Sequence, residues 1–245
     1  MKDSLKAGIT NLFLAVQGIL YVVFLYFDLT KQNVSFSNNI KFTIIILCFF
    51  YVTIINIGSR KVEKQGICLQ AGLLFTVIAD LFLLVLDSHY FYGVVFFIIV
   101  QQIYAIKLEF AQKQDNYNKR FLLHLALMRL LLQISVAVAV CLIVFCLGMK
   151  PDALLAASAF YFASIFYNVL FSVRVSLKNK WNRNYLRFAV GMLLFLLCDI
   201  NVGIFNLSDF ISLPFTQQYS VFYSISSVLM WVFYAPAQIL IALSI

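Results

Sequence analysis

The chain has 245 residues, of which 63% are hydrophobic and 11% charged, and its formal net charge is +8. A soluble domain needs roughly a quarter of its residues charged to cover its surface, so this composition excludes a water-soluble fold and points to an integral membrane protein with little mass outside the bilayer. Three prolines and nine glycines exclude a disordered or collagen-like chain.

A helix that crosses about 30 Å of hydrocarbon needs roughly 20 apolar residues. In chain order such stretches cover 8–28, 40–58, 67–87, 90–108, 121–147, 152–174, 187–206 and 219–244, separated by short segments carrying charge, Asn, Gly or Pro. The expected fold class is an all-α polytopic bundle of about eight transmembrane helices, a single membrane domain over 1–245. The first stretch follows Lys2 and Lys6 but is too long for a signal peptide, and no small-x-small site follows it, so it reads as a retained helix. Fourteen of the eighteen basic residues fall on one side: Lys2, Lys6, Arg60, Lys61, Lys64, Lys107, Lys113, Lys119, Arg120, Arg174, Lys178, Lys180, Arg183 and Arg187. Lys31, Lys41 and Lys150 fall on the other, and Arg129 lies inside the fifth span, where snorkelling towards the cytoplasm is expected. This bias predicts cytoplasmic termini and makes the basic charge a matter of topology, with no nucleic acid as partner. The five cysteines lie in or beside spans and read as reduced core residues. The segment Asn206–Gln218 is apolar for a loop and is expected to lie in the membrane interface.

The third and seventh spans share a pattern. Gly72, seven residues, Asp80, six residues and Asp87 are matched by Gly191, seven residues, Asp199, six residues and Asn206. The spans hold the same place in a 4+4 division, which suggests parallel repeat halves over 1–108 and 121–245. Seven residues at about 100° each return to nearly the same helical face, so Asp80 and Asp87 share a stripe, as do Asp199 and Asn206. At about 1.5 Å per residue, Asp80 and Asp199 lie roughly 18–20 Å from their helix starts, and the matched depth predicts that they face one another across a cavity. Inserting a charged Asp near a helix centre costs at least about 2.5–3.5 kcal/mol, so such a residue normally faces the bundle interior and has a function. A pair of this kind is expected to hold one proton between them, which prepares one carboxyl to donate a proton while the other orders a water.

Other polar residues inside spans are candidates for contact with a bound molecule. Gln101 and Tyr104 stand three apart on one face of the fourth span. Tyr234 and Gln238 stand four apart around Pro236, which frees a backbone carbonyl. No G-x-S-x-G elbow, H-E-x-x-H pair, P-loop or G-x-G-x-x-G is present, and with only His89 and His124 no histidine metal cluster is expected. Neither a metal nor an organic cofactor is expected.

With these residues the chain resembles the lysoplasmalogenase, or YhhN-like, family of eight-span membrane proteins. The resemblance lies in Ala79-Asp80-Leu81-Phe82-Leu83 of the third span, in Gly191 to Cys198-Asp199 of the seventh, and in Tyr234-Ala235-Pro236-Ala237-Gln238 near the end. Gln101 stands where typical members carry His, and Cys198 where they carry Ser. The resemblance implies hydrolysis of the vinyl ether bond of lysoplasmalogens to a fatty aldehyde and a glycerophospho-base. It implies catalytic roles for Asp80 and Asp199. It leaves Gln101, Tyr104, Asp87, Asn206, Tyr234 and Gln238 as candidate substrate contacts. The expected partners are a lysophospholipid substrate and the bilayer, and the sequence sets no oligomeric state. Lys, Asn, Ile and Phe usage suggests an AT-rich genome and a bacterial cytoplasmic membrane. A proton-coupled transporter or lipid-translocating protein would use the same carboxylates as a relay, and a non-catalytic membrane bundle would use them only for packing.

Overall fold

Among the described residues, eight α-helices form where the eight apolar stretches fall. The structure, a computed structural model, describes residues 3–59, 63–86, 88–112, 119–180, 182–206 and 217–245. In chain order the helices are α1 (Asp3–Thr30), α2 (Val34–Gly58), α3 (Lys64–Asp80), α4 (Tyr90–Gln112), α5 (Lys119–Cys146), α6 (Ala153–Lys178), α7 (Arg183–Phe205) and α8 (Gln217–Ala242), with a π-helical turn, Leu81–Val85, continuing α3. Each is long and apolar enough to cross a membrane. Only a helix satisfies all its backbone polar groups within one segment in hydrocarbon, which is why apolarity and helicity coincide here. Several helices outrun their apolar stretches: α6 continues through Arg174 to Lys178, and α7 already begins at Arg183. A charged residue ends the span but not the helix, because its side chain is solvated while its backbone bonds remain intact.

Local chemistry sets several helix ends. Asn33, in the left-handed region at φ 46°, lets the chain reverse between α1 and α2. Gly148, at φ 80°, closes α5 in a Schellman arrangement, in which the Met149 N–H bonds the Val144 oxygen at 3.2 Å and the Gly148 N–H bonds the Phe145 oxygen at 2.9 Å. Asp152 caps α6 by accepting from the Leu155 N–H at 2.7 Å. Of the expected interfacial segment Asn206–Gln218, residues 207–216 lie outside the described residues.

The chain divides into two compact units. The terminal unit comprises Met1–Lys61 and Arg183–Ile245, and so contains α1, α2, α7 and α8. Gln17 of α1 donates to the Ile44 oxygen of α2 at 3.0 Å, and Phe13 stacks on Tyr51 at 4.3 Å. Lys41 of α2 pairs with Asp28 of α1 at 2.8 Å and lies 4.7 Å from the ring centre of Trp231 on α8. The central unit, Val62–Asn182, contains α3 to α6. Here Phe75 and Phe82 both stack on Phe96 of α4, and Phe97 of α4 meets Tyr161 of α6. Large apolar side chains remain exposed along outer helix faces, among them Leu123, Leu127, Leu131, Ile134, Val138 and Leu142 of α5. Such a face would drive aggregation in water and is the proper surface in lipid, so the protein is an integral membrane protein.

Candidate functional site

In the central unit, α3 buries Leu69, Leu73, Thr76 and Asp80 at intervals of four, three and four residues, the signature of one helical face. Asp80 is 3% exposed. Directly after it the helix widens, and the Leu86 N–H bonds the Leu81 oxygen, five residues back, at 2.9 Å. Single π turns of this kind occur often at functional sites, where they displace a side chain from the regular helical register. The seven-residue step from Asp80 to Asp87 crosses this turn, and Asp87 itself lies outside the described residues.

Gln101 and Tyr104 are both fully buried in α4. The Tyr104 ring lies against Gly72 so closely that a Cβ there would overlap it, which gives the glycine of the Gly–Asp spacing a packing role. Gln101 turns instead to α6: Asn168 Nδ2 donates to the Gln101 main-chain oxygen at 2.8 Å and to its Oε1 at 2.9 Å. Beside them Gln102 Nε2 donates to Gln133 Oε1 of α5 at 3.2 Å and to Ser164 Oγ of α6 at 3.4 Å. Gln101 Nε2, Gln102 Oε1 and Asn168 Oδ1 are buried with no hydrogen-bond partner among the described residues. Each such atom costs about 1–3 kcal/mol of desolvation, so an amide cluster left this way is suited to a polar guest.

In the terminal unit, α7 repeats the spacing with Phe188, Met192 and Phe195 buried and Asp199 half-buried. Gly191 allows α8 to approach: a Cβ there would stand 3.0 Å from the Ala237 oxygen and 2.8 Å from Ile241 Cγ1. Asn206 Nδ2 returns to the Val202 oxygen at 3.0 Å. Tyr234 is buried edge-on to Phe195 and Trp231, with ring centres 5.3 and 5.4 Å away. Pro236 lies inside α8, and the carbonyl four residues back, Val232, accepts from the Tyr21 hydroxyl of α1 at 3.2 Å. The carbonyl that proline frees therefore has a partner on another helix. Gln238 is 0% exposed, and neither of its amide atoms has a hydrogen-bond partner among the described residues.

Of the residues singled out in sequence, Asp80, Gln101 and Tyr104 belong to the central unit, and Asp199, Asn206, Tyr234 and Gln238 to the terminal one. Asn168, Gln133 and Ser164 were missed; their signal was polarity inside apolar spans. Arg129 does not snorkel. It is buried and pairs with Glu109 of α4 at 3.0 Å, because an acid of the neighbouring helix stands within reach of the guanidinium. Among the described residues no three His, Cys, Asp or Glu side chains gather closely enough to hold a metal ion.

Comparison with known proteins adds one finding. The family model described as YhhN matches residues 36–245. No curated protein and no solved structure matches the chain.

Proposed function

From the premise that this chain belongs to the YhhN family, the family of lysoplasmalogenases, we propose that it hydrolyses the vinyl ether bond of lysoplasmalogens within the membrane, with Asp80 and Asp199 dividing the acid and base roles. Asp80 carries this proposal: a carboxyl 3% exposed, on the packed face of an apolar helix, at the start of a π turn. Acids inside membrane spans are rare, are costly to insert and mark functional sites by default, proton relays among them.

The chemistry needs few groups. A neutral carboxylic acid protonates the β-carbon of the enol ether, and the electron pair of the double bond forms the new C–H bond. The resulting oxocarbenium ion is stabilised by a carboxylate, which then takes a proton from the water that adds to the cation. The hemiacetal collapses to a fatty aldehyde and a glycerophospho-base, and the two carboxyls finish with their starting complement of protons. Water exclusion by the apolar bundle strengthens both effects. Gln101, Tyr104, Tyr234 and Gln238, buried polar side chains on α4 and α8, are proposed to contact the lipid, with the half-buried Asn206 and with Asp87. We place the protein in a bacterial cytoplasmic membrane, where an amphiphilic substrate enters sideways from the lipid.

The test is turnover of a lysoplasmalogen by the purified full chain, wild type against Asp80→Asn and Asp199→Asn. Active wild type and variants slower by about a hundredfold or more are expected, the usual scale for loss of a general acid or base. If both variants keep the full rate, the catalytic assignment is wrong.

A further inference from the structure

The amide pair between α4 and α6 has a fixed orientation. Asn168 Nδ2 spends its two protons on the main-chain oxygen and the Oε1 of Gln101, at 2.8 and 2.9 Å. A main-chain oxygen only accepts, so the Asn168 amide nitrogen must face it, and the oxygen of the Gln101 amide must face the same nitrogen. That leaves the Gln101 Nε2 protons and the Asn168 Oδ1 lone pairs buried and without a hydrogen-bond partner among the described residues. Gln101 is 0% and Asn168 1% exposed. Water does not reach these atoms freely, and hydrocarbon cannot satisfy them.

Together they present one donor site and one acceptor site. A hydroxyl complements both, since its oxygen accepts from the Gln101 amide while its proton goes to Asn168. An ether or ester oxygen has no proton to give, and a methylene offers neither. In a lysophospholipid the free glycerol hydroxyl sits on carbon 2, next to the carbon that bears the ether. Gln101 lies on α4 three residues before Tyr104, whose ring rests on Gly72 of α3, eight residues before Asp80. The amide pair and Asp80 thus belong to the same compact unit.

Resting on the proposal of a lysophospholipid substrate, we infer that Gln101 and Asn168 read the free carbon-2 hydroxyl of the lipid and so select single-chain lipids over those acylated at that position. Asn168 gives the site a specificity-determining residue that the proposed acid–base chemistry does not use. The selection has a physical basis: a second acyl chain removes the hydroxyl proton and leaves the Asn168 oxygen buried and unsatisfied.

The experiment uses a lipid that the proposed reaction cannot cleave. Equilibrium binding of saturated 1-O-hexadecyl lysophosphoethanolamine to the full chain is compared with that of its 2-deoxy counterpart, a pair whose identical chains partition alike into the carrier. Wild type is expected to bind the hydroxyl lipid about tenfold or more tightly than the deoxy lipid. In Gln101→Met and Asn168→Leu that ratio should fall to about one. A ratio near one in wild type overturns the inference, because the amide pair then holds only a water or only packs two helices. A wild-type ratio that persists in folded variants overturns it too. Should the variants not fold, the wild-type comparison decides alone. Vinyl ether hydrolysis is measured separately: a protein that binds with the hydroxyl preference but does not cleave lysoplasmalogen keeps this inference and loses the proposed reaction. One that cleaves but shows no preference does the reverse.

Discussion

In α3, Leu69, Leu73, Thr76 and Asp80 follow one another at intervals of four, three and four residues, and in α7 Phe188, Met192, Phe195 and Asp199 do the same. A glycine stands eight residues before each aspartate, and each permits close approach. The partners differ: Gly72 receives the flat ring of Tyr104, whereas Gly191 receives the backbone of α8 at Ala237 and Ile241. Beyond the aspartates the helices diverge as well. After Asp80 the helix widens into a π turn, while α7 continues to Phe205, with Asn201 donating to the Leu197 oxygen at 2.8 Å. Asp80 is buried and Asp199 half-buried. One spacing thus places an acid at the same point of a packed face in two different surroundings, and the spacing alone does not say how the acid is used.

The largest effect expected from breaking this parallel is on catalysis. The proposed shared acid–base role of the two aspartates predicts that the double variant Asp80→Asn/Asp199→Asn is about as slow as the slower single variant, not slower by the product of the two losses. Turnover of all three variants checks this. Multiplicative losses would mean that the two residues serve separate steps.

Next in size are two buried ion pairs among the described residues, Arg129–Glu109 in the central unit and Lys41–Asp28 in the terminal one. Glu109→Ala leaves Arg129 buried without its acid and is expected to cost about 3 kcal/mol or more. Asp28→Ala is expected to cost less, because Lys41 still lies over the rings of Trp231 and Phe24. Thermal unfolding in detergent orders the two, and an equal loss would show that the aromatic rings do not help Lys41.

The glycines come third. Gly72→Ala and Gly191→Ala each overpack a tight contact and are expected to cost about 1–3 kcal/mol. Their rescue should differ. Tyr104→Ala removes what a Cβ at residue 72 would strike, so that pair of changes costs less than its sum. Ile241→Ala leaves the Ala237 oxygen 3.0 Å from a Cβ at residue 191, so little is regained there. Similar coupling in both cycles would erase the distinction between a ring contact and a backbone contact.

The smallest effect concerns the proline of α8. Tyr21→Phe withdraws the hydroxyl from the Val232 carbonyl and should cost about 0.6 kcal/mol, the usual scale for a hydrogen bond between membrane helices. In a Pro236→Ala background, where the helix can supply its own N–H, the same change should cost almost nothing. A double-mutant cycle on unfolding reads the difference, and equal costs in both backgrounds would show that the proline is not what leaves the carbonyl to Tyr21.

Apolar runs and charged breaks announced the eight spanning helices of the described residues, because hydrocarbon thickness dictates both length and composition. The glycine-to-aspartate spacing was legible for the same reason that helices are periodic, and the carbonyl freed by Pro236 followed from the missing N–H. What stayed hidden depends on how helices rotate against one another. Nothing in the apolar run Leu81–Val85 announces a π turn, and nothing around Arg129 says that Glu109, twenty residues away, will meet it. Asn168 looked like any polar residue of a span until α6 brought it onto Gln101. Hydropathy locates a helix, whereas a buried pair requires knowing which faces meet.

The most direct test of the central claim is release of fatty aldehyde from a lysoplasmalogen by purified protein, wild type beside Asp80→Asn. One aldehyde is expected for each glycerophospho-base formed, with the variant about a hundredfold slower or more at an unchanged melting temperature. A wild-type protein that releases no aldehyde, or an Asp80→Asn protein that releases it at the full rate, would contradict the account.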